Sequence, residues 1–421
     1  QIHDKIVSGG LLDKDGVLGN ALVNMYAKCG VIEKAEKVLQ KLFSRDEVSW
    51  SALIAGYAKQ GQGYSALDCF ERMQSEGISP DLVTFISLFK ACGNARAVDK
   101  GNQIHEKMLG KGLLEKNMVL SNALVGMYAK CGMFGKAQQV LHDLHSCDLV
   151  TCWNALIAGY AEQGQDHEAL KCLQQMKSKG LYPDIATFVC CLKACGNGGA
   201  IGKGKQIHDE IASKGLLEKE IVLGNALLNM YAKCGLLTKA EDLLEELPAR
   251  DIISWSTLIG AYAHQGQGHQ ALRCFARMQS EGLIPDSITL LCLLSACGYS
   301  GLFDEAQVLF GSMTQSYHGI SSCLDQHTCI MMMILGYSGQ FDKAIALTRV
   351  MPLSSKSSLV WLSLLSACRK WVNVKLGSLA FGKIIQLDKS CSVAYVFMAD
   401  IFVAAGMEEG AKYVKAMRVE M

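Results

Sequence analysis

The stretch WSALIAGYAKQG, at residues 50–61, occurs in three versions along this chain of 421 residues. It returns as WNALIAGYAEQG at 153–164 and as WSTLIGAYAHQG at 255–266, with tryptophans 103 and 102 residues apart. Three shorter phrases recur at the same spacing: YAKCG from 26, 128 and 231, ACG from 91, 194 and 296, and Pro-Asp from 80, 183 and 285. A sequence that repeats itself at this period is an array of similar structural elements.

The opening stretch predicts the first helix of a helix pair. Trp50, Leu53, Ile54 and Tyr57 follow the three- and four-residue spacing of a single helical face. The glycines within residues 61–63 are predicted to end this helix, because glycine is unfavourable in a helix and permits a chain reversal. A second helix is then predicted to end before Pro80, with an inner face of Ala66, Cys69, Phe70 and Met73.

Short, standard and long helix pairs follow one another in a fixed order. In chain order they span 16–46, 47–81 and 82–117, then 118–148, 149–184 and 185–220, then 221–251, 252–286 and 287–324. One helix pair cannot bury its apolar face alone, so the predicted fold is all-α, a right-handed superhelical solenoid of stacked helix-turn-helix repeats. Residues 1–15 are predicted to be the end of a truncated long repeat, 325–358 a final short repeat, and 359–421 a helical extension.

Composition limits the kinds of function that fit this chain. A formal net charge of +1 disfavours a protein that holds nucleic acid mainly through phosphates. Eighteen cysteines without a single C-x-x-C spacing favour side-chain packing over metal binding, and they indicate a reducing compartment. No apolar run reaches the roughly 18–20 residues that a membrane-spanning helix needs, so no membrane contact is expected.

The repeated phrases resemble those of a known family. The segments GNALVNMYAKCG, VSWSALIAGYAKQG and FKACGNARAVDKGNQIH look like plant pentatricopeptide-repeat proteins of the P-L-S class. Residues 359–421 are similar to the E-type extension of that class. The resemblance implies single-stranded organellar RNA as the partner, one base per repeat, and a role in specifying sites of cytidine-to-uridine editing. It also implies a mitochondrial or chloroplast location, with a slight preference for the mitochondrion.

The resemblance further implies which residues select bases. They are the polar residue near the start of the first helix and the last residue of the same repeat. The pairs are Asn20 with Asp46, Ser51 with Asp81, Asn122 with Asp148, Asn154 with Asp184, Asn225 with Asp251, and Ser256 with Asp286. A carboxylate only accepts hydrogen bonds, so it suits the imino N–H of uracil or guanine. Asn fits the smaller pyrimidine and Ser leaves room for a purine, in agreement with the family code.

The long repeats differ at the first of these positions. Ile86, Val189 and Leu291 offer no hydrogen bond, so these repeats are predicted to be indifferent to the base. The predicted target is 5′-U-G-N-U-U-N-U-G-N-N-3′. One turn earlier, aliphatic residues are predicted to sandwich the bases: Val48, Val83, Val119, Val222, Ile253 and Ile288.

Other interpretations of the same residues remain open. Ser or Asn near a helix start, and Asp after Pro, are ordinarily caps and turn residues. The repeated Trp and Tyr residues fit core packing better than base stacking, and the YAKCG lysines fit either phosphate contact or a solvated surface. An extra residue near position 149 could displace the Asn154 pairing. A protein-binding scaffold of the tetratricopeptide kind, or an RNA stabilisation or processing factor, is the alternative function.

Chemistry by this chain itself is not predicted. Relatives that carry a deaminase combine H-x-E with C-x-x-C around zinc, whereas this chain has His208-Asp209-Glu210 inside a repeat helix and no C-x-x-C. We therefore predict a recognition factor without catalytic residues, metal or other cofactor. A deaminase-bearing protein, contacting the C-terminal extension, is the expected partner.

Overall fold

The computed structural model describes residues 16–109, 117–144, 149–316, 324–350 and 358–419, and these residues form 24 helices and no strand. Two compact units divide the chain, at residues 1–216 and 217–421. The first contains α1 Gly16–Lys28, α2 Ile32–Lys41, α3 Glu47–Lys59, α4 Gly63–Ser75, α5 Leu82–Ala95, α6 Val98–Leu109, α7 Met118–Lys130, α8 Phe134–Asp143, α9 Val150–Glu162, α10 Asp166–Ser178, α11 Ile185–Asn197 and α12 Ile201–Ser213. The second contains α13 Ile221–Lys233, α14 Leu237–Glu246, α15 Ile252–His264, α16 Gly268–Ser280, α17 Ser287–Ser300, α18 Phe303–Ser316, α19 Leu324–Tyr337, α20 Phe341–Val350, α21 Ser358–Trp371, α22 Val374–Leu387, α23 Ser392–Ala404 and α24 Glu408–Val419.

Within each unit the helices stack as pairs. Each odd-numbered helix packs against the even-numbered helix that follows it, and also against the next odd-numbered helix of the same unit. The odd-numbered helices therefore form one continuous layer in each unit, which is how stacked pairs bury their apolar faces. The predicted all-α architecture of stacked helix pairs is confirmed. The predicted boundaries at 325 and 359 stay predictions, and residues 1–15 lie outside the described residues.

Helix α3 shows why the repeated phrase folds as it does. Trp50, Leu53 and Ile54 are fully buried, and Tyr57 is 9% exposed, as the helical spacing predicts. The helix ends in a Schellman motif, in which Gln62 N–H donates to the Tyr57 carbonyl and Gly61 N–H to the Ala58 carbonyl. Gly61 takes a φ of +76°, a left-handed conformation that a residue with a Cβ adopts at a cost.

Gly63 serves a different purpose from Gly61. It is the first residue of α4, where a Cβ would lie 2.4 Å from the Ala91 carbonyl oxygen and 2.7 Å from the Ala95 Cβ. A glycine is therefore required there for the close approach of α4 to α5, rather than for a turn.

The cysteines of the repeated ACG and YAKCG phrases differ in burial. Cys92, Cys195 and Cys297 are completely buried inside first helices, in agreement with the packing interpretation. The YAKCG cysteines follow the last residue of their helices: Cys29 is exposed, and Cys131 and Cys234 are C-cap residues of intermediate burial. The packing interpretation is wrong for Cys29, because the helix has already ended and the side chain leaves the core. No helix among the described residues has the length and apolar character needed to cross a bilayer.

Candidate nucleic-acid interface

The predicted base-selecting residues share one helical register. Each first residue of a pair is the fifth residue of an odd-numbered helix, and each predicted sandwiching residue is the second. Residues three apart lie on the same face of a helix, and within each unit these helices pack side by side. The paired and sandwiching residues therefore lie in a row along each stack. The fifth position is inside the helix, so capping does not explain Asn and Ser there.

Capping does describe the aspartates. Asp46, Asp81, Asp184, Asp251 and Asp286 are the N-cap residues of α3, α5, α11, α15 and α17. Each carboxylate accepts the backbone N–H three residues later, at 2.7–2.9 Å. The cap fixes the carboxylate at the junction between its own repeat and the next one, so the capping interpretation is confirmed and the base-selecting role stays a prediction.

In three repeats the Asn and Asp of a pair are joined directly. Asn20 Nδ2 donates to Asp46 Oδ2 at 2.7 Å. Asn154 Nδ2 lies 3.0 and 3.1 Å from the two Asp184 carboxylate oxygens. Asn225 Nδ2 lies 3.2 and 3.3 Å from those of Asp251. Residues 26 to 30 positions apart in sequence therefore form one polar group in each of these repeats.

The two serine pairs differ from each other. Ser51 Oγ donates to Asp81 Oδ1 at 3.1 Å, so the members of this pair are joined directly. Ser256 Oγ instead donates to the Ile253 carbonyl oxygen at 3.1 Å, one turn earlier in its own helix. Asp286 bonds to Thr289, and no hydrogen bond joins it to Ser256 among the described residues.

The extra residue near 149 changes the start of α9 and leaves the Asn154 pairing in place. The Asn154–Asp184 pair is intact, so the anticipated displacement is wrong. The insertion changes the start of α9 instead, where Leu149 is the N-cap and provides no side-chain hydrogen bond. Asp148, the predicted partner of Asn122, lies outside the described residues.

Hydrogen bonds keep three of these carboxylates ionised. Burial alone would raise the pKa values of Asp46, Asp184 and Asp251. The Ser or Thr three residues later and the paired Asn donate hydrogen bonds that outweigh burial, so each pKa is lowered. The carboxylates therefore remain pure acceptors at neutral pH, as recognition of an imino N–H requires.

The predicted sandwiching residues are exposed, although they are aliphatic. The exposed fractions range from 52% to 63% for Val48, Val83, Val119, Val222, Ile253 and Ile288. Val17, the second residue of α1, is 75% exposed and belongs to the same row, although the sequence interpretation omitted it. Its position three residues before Asn20 was the available signal. Thr151 and Ala186 interrupt the row in α9 and α11.

The repeated Trp and Tyr residues and the YAKCG lysines differ in exposure. Trp50, Trp153 and Trp255 are 0–3% exposed, so they support the core and do not stack on a ligand. Tyr128 and Tyr231 are also buried. The lysines Lys28, Lys130 and Lys233 are exposed, and Lys130 Nζ donates to Asn94 Oδ1 at 3.0 Å.

In the long repeats the fifth residues Ile86, Val189 and Leu291 are partly buried and bring no hydrogen-bonding group.

Sequence comparison identifies the repeats. The "PPR repeat family" model matches residues 45–94, 148–197 and 250–299, and the "PPR repeat" model matches 20–46, 83–113, 119–149, 225–252 and 288–317. This chain belongs to the pentatricopeptide-repeat family. The matched segments of this pentatricopeptide-repeat chain lie within residues 20–317.

Relatives from Arabidopsis thaliana match nearly the whole chain. One pentatricopeptide repeat-containing protein is 33% identical over 100% of this chain and 60% of its own length. Another is 33% identical over 96% of this chain and 55% of its own length. A third, whose name includes "mitochondrial", is 32% identical over 97% of this chain and 72% of its own. The chain thus spans less than two thirds of the length of the first two.

A solved structure has the same fold. The pentatricopeptide repeat protein PPR10, in a complex with an 18-nt psaJ RNA element, aligns with a TM-score of 0.64 and 18% identity. The alignment covers 98% of this chain and 62% of that one. A crystal structure of PPR10 from maize aligns with a TM-score of 0.60 and 20% identity.

Proposed function

We propose that this chain binds single-stranded organellar RNA in a sequence-specific manner, with one base per repeat. The observation that carries the proposal is the repeated polar pair, held at one register beside an exposed aliphatic residue. A base has two faces that pack against apolar groups, and edges that form hydrogen bonds. An aliphatic row suits the faces, and an ionised carboxylate with an amide or hydroxyl suits the edge.

The proposed target is 5′-U-G-N-U-U-N-U-G-N-N-3′, read by the pairs in chain order. Asn with Asp offers an acceptor for the uracil imino N–H, and Ser with Asp offers one for guanine while leaving space for the purine. Each well-made base-edge contact discriminates by about 1–3 kcal/mol in duplex readers. Six such repeats can select a target with little help from phosphate attraction, consistent with a net charge of +1.

Binding to synthetic RNA tests this proposal. Fluorescence anisotropy would compare an oligonucleotide carrying U-G-A-U-U-A-U-G with a scrambled one of the same composition. We expect at least a 100-fold preference for the ordered sequence, given the ~1–3 kcal/mol per base. Equal affinities would refute sequence-specific reading. We also expect a shallow dependence on salt, because few phosphates are neutralised, and a slope of six or more released ions would contradict this mechanism.

A single substitution gives a sharper test. Asp81→Asn replaces an acceptor-only group with an amide that can also donate, while Ser51 continues to leave room for a purine. Preference at this one position is expected to move from guanine toward adenine. The matched change at Asp251, beside Asn225, is expected to move preference from uracil toward cytosine without changing the reading of the Ser51 position.

We further propose that the bound site is one of organellar cytidine-to-uridine editing, with the deaminase supplied by a partner or by residues beyond this sequence. The support is the resemblance of residues 359–421 to an E-type extension. Exposed apolar side chains there, with Leu359 62% and Leu379 51% exposed, provide a surface for such a partner. Relatives with names that include "mitochondrial" and "chloroplastic" support an organellar location.

Removing residues 359–421 tests the editing role separately from RNA binding. RNA affinity is expected to stay within a few-fold, because the paired residues all precede this segment. Editing in an organelle extract from cells lacking the endogenous protein is expected to disappear. Undiminished editing by the shortened protein would exclude recruitment through this extension.

A further inference from the structure

A buried hydroxyl group lies beneath five of the six base-selecting pairs. It belongs to the third residue of the helix that the paired Asp caps, three positions after that Asp. The residues are Ser49, Thr84, Thr187, Ser254 and Thr289, and each has an exposed fraction of 0%. A side chain without accessible surface cannot touch RNA, so any effect on recognition must pass through its neighbours.

Thr187 and Ser254 contact both members of their pairs. Thr187 Oγ1 lies 2.6 Å from Asn154 Oδ1 and 2.8 Å from Asp184 Oδ1. Ser254 Oγ reproduces this geometry, at 2.6 Å from Asn225 Oδ1 and 2.9 Å from Asp251 Oδ1. The two sites lie in different units of the chain, so the arrangement is a property of the repeat and not of one location.

The remaining hydroxyls follow the arrangement in part. Thr84 Oγ1 lies 2.5 Å from both Ser51 Oγ and Asp81 Oδ1, so it also contacts both members of its pair. Thr289 Oγ1 lies 2.6 Å from Asp286 Oδ1. Ser49 bonds the backbone of Asp46, accepting its N–H at 3.1 Å and donating to its carbonyl at 2.9 Å. Four of the five thus reach a base-selecting carboxylate.

These contacts have two consequences for what the pair presents to a base. A hydroxyl that can donate holds the Asn oxygen toward the interior and leaves the amide N–H₂ directed at the carboxylate. If the amide were inverted, its oxygen would face the carboxylate. Two acceptors facing each other repel, so this orientation is disfavoured. The Oδ1 of Asp184 already accepts from Thr187 N–H at 2.8 Å and lies 3.0 Å from Asn154 Nδ2, so Oδ2 is the oxygen with more capacity to accept from a base.

The sixth pair lacks a buried hydroxyl at this place. The residue three positions after Asp148 is Thr151, which is exposed, because the N-cap of α9 is Leu149. The third residue of α9 is Cys152, immediately before Trp153, where Ser49 and Ser254 precede Trp50 and Trp255. The amide oxygen of Asn122, the equivalent of the Asn154 and Asn225 oxygens, is buried and receives no hydrogen bond in the part of the chain that the structure describes. A thiol is a weak donor, which accounts for the difference.

We propose that the third-residue hydroxyls are positioning residues, which orient the base-selecting pair and thereby set base discrimination without contacting the RNA. We expect strong discrimination between bases at the positions read by Asn154 and Asn225, where Thr187 and Ser254 lie. We expect weak discrimination at the base read by Asn122. The inference rests on the proposed RNA-reading function and adds to it a determinant outside the two selecting positions.

Thr187→Val tests the proposal, because it removes the donor while keeping the side-chain volume nearly constant. The measurement is competition binding among RNAs that differ only at the base read by Asn154. We expect the preference of the unmodified protein for U over C to fall about tenfold, the value of one hydrogen bond of ~1.4 kcal/mol. Thr187→Ser should restore it. Preference at the base read by Asn225 should be unchanged, which a general loss of stability would not produce.

Cys152→Ser tests whether adding a hydroxyl raises base discrimination, while the other pairs stay unchanged. The preference for U at the base read by Asn122 is expected to rise about three- to tenfold, because the Asn122 oxygen gains a donor. If the protein prefers U opposite Asn154 and Thr187→Val leaves that preference intact, the positioning role is wrong. Unchanged discrimination in Cys152→Ser would overturn it as well. If the unmodified protein shows no base preference at any position, the proposed function itself fails.

Discussion

The three standard repeats, at 47–81, 149–184 and 252–286, have equivalent apolar cores. The central one differs from the other two in its polar contacts. Trp50 Nε1 donates to Glu76 at 3.0 Å and Trp255 Nε1 to Glu281 at 2.8 Å. The equivalent nitrogen of Trp153 is buried and finds no acceptor among the described residues. Lys179 occupies the place of the two glutamates, with Nζ 5.5 Å from the centre of the Trp153 ring.

A second contact differs in the same way. Tyr57 donates to Glu36 and Tyr262 to Glu241, both at 2.8 Å, and an arginine pairs with each of these glutamates. Tyr160 instead accepts from the neutral amide of Gln138 at 3.1 Å. The central standard repeat therefore keeps its buried tryptophan and tyrosine but lacks the glutamate partners. The repeat geometry does not require these glutamates, and we expect them to adjust local stability.

The largest expected effect is that of Glu281→Ala. This change leaves the buried Trp255 N–H without an acceptor and Arg250 without the partner that it contacts at 2.9 Å. An unsatisfied buried donor costs about 1–3 kcal/mol, so amide hydrogen exchange in α15 should accelerate roughly 5- to 150-fold. Lys179→Ala, the matched change in the central repeat, should alter exchange in α9 by less than about threefold. Equal effects in the two repeats would show that the Trp–Glu bond contributes nothing.

The reverse experiment supplies an acceptor where none exists. Lys179→Glu should allow Trp153 to donate as Trp255 does, and stabilise α9 by about 1 kcal/mol in hydrogen exchange. Lys179→Gln is the control, because it removes the charge and still offers an oxygen, and it should reproduce most of the gain. If neither variant slows exchange in α9, the missing glutamate is not the reason for the difference.

The glutamate beside Tyr57 predicts a pH dependence that the central repeat lacks. A hydrogen bond from Arg72 is the main reason that the pKa of Glu36 is lowered, with help from Tyr57. The stabilisation is complete above the ordinary pKa of about 4.5 and is lost as the pH falls through the lowered value. Glu36→Gln should therefore cost about 0.5 kcal/mol at pH 7, a value reduced by solvent screening, and less at pH 3. Urea unfolding at the two pH values measures this, and Gln138→Ala should show no such pH dependence.

The smallest effect concerns the exposed row of second residues. Thr151 lies in the central repeat where the outer repeats have Val48 and Ile253, which are 57% and 59% exposed. Thr151→Val should raise the affinity for the target RNA about twofold, corresponding to ~0.5 kcal/mol of apolar contact with a base. Val48→Thr should lower it by a similar factor. If Thr151→Val lowers the affinity and Val48→Thr raises it, this row does not contact the RNA.

Local pattern was sufficient for much of this chain. Helix positions, the glycine stops and the burial of Trp50 follow from spacings of three and four residues, which depend only on helix geometry. The fifth-residue register of Asn20, Ser51 and Asn225 was found in the same way. The buried hydroxyls were missed, although Ser or Thr three residues after Asp is a recognisable capping pattern. The joined Asn–Asp pairs could not be seen locally, because their members are 26 to 30 residues apart.

The sequence by itself determined the period, the helix pairs, the apolar core and the list of polar residues at equivalent positions. Only the tertiary structure decided which of those residues bond to each other. Ser256 and Ser51 have equivalent positions, yet one hydroxyl bonds its own helix and the other bonds Asp81, the N-cap of the next odd-numbered helix. The apolar face of each helix is set by residue spacing within a few turns, whereas hydrogen bonds between repeats depend on ångström-level stacking of helices distant in sequence.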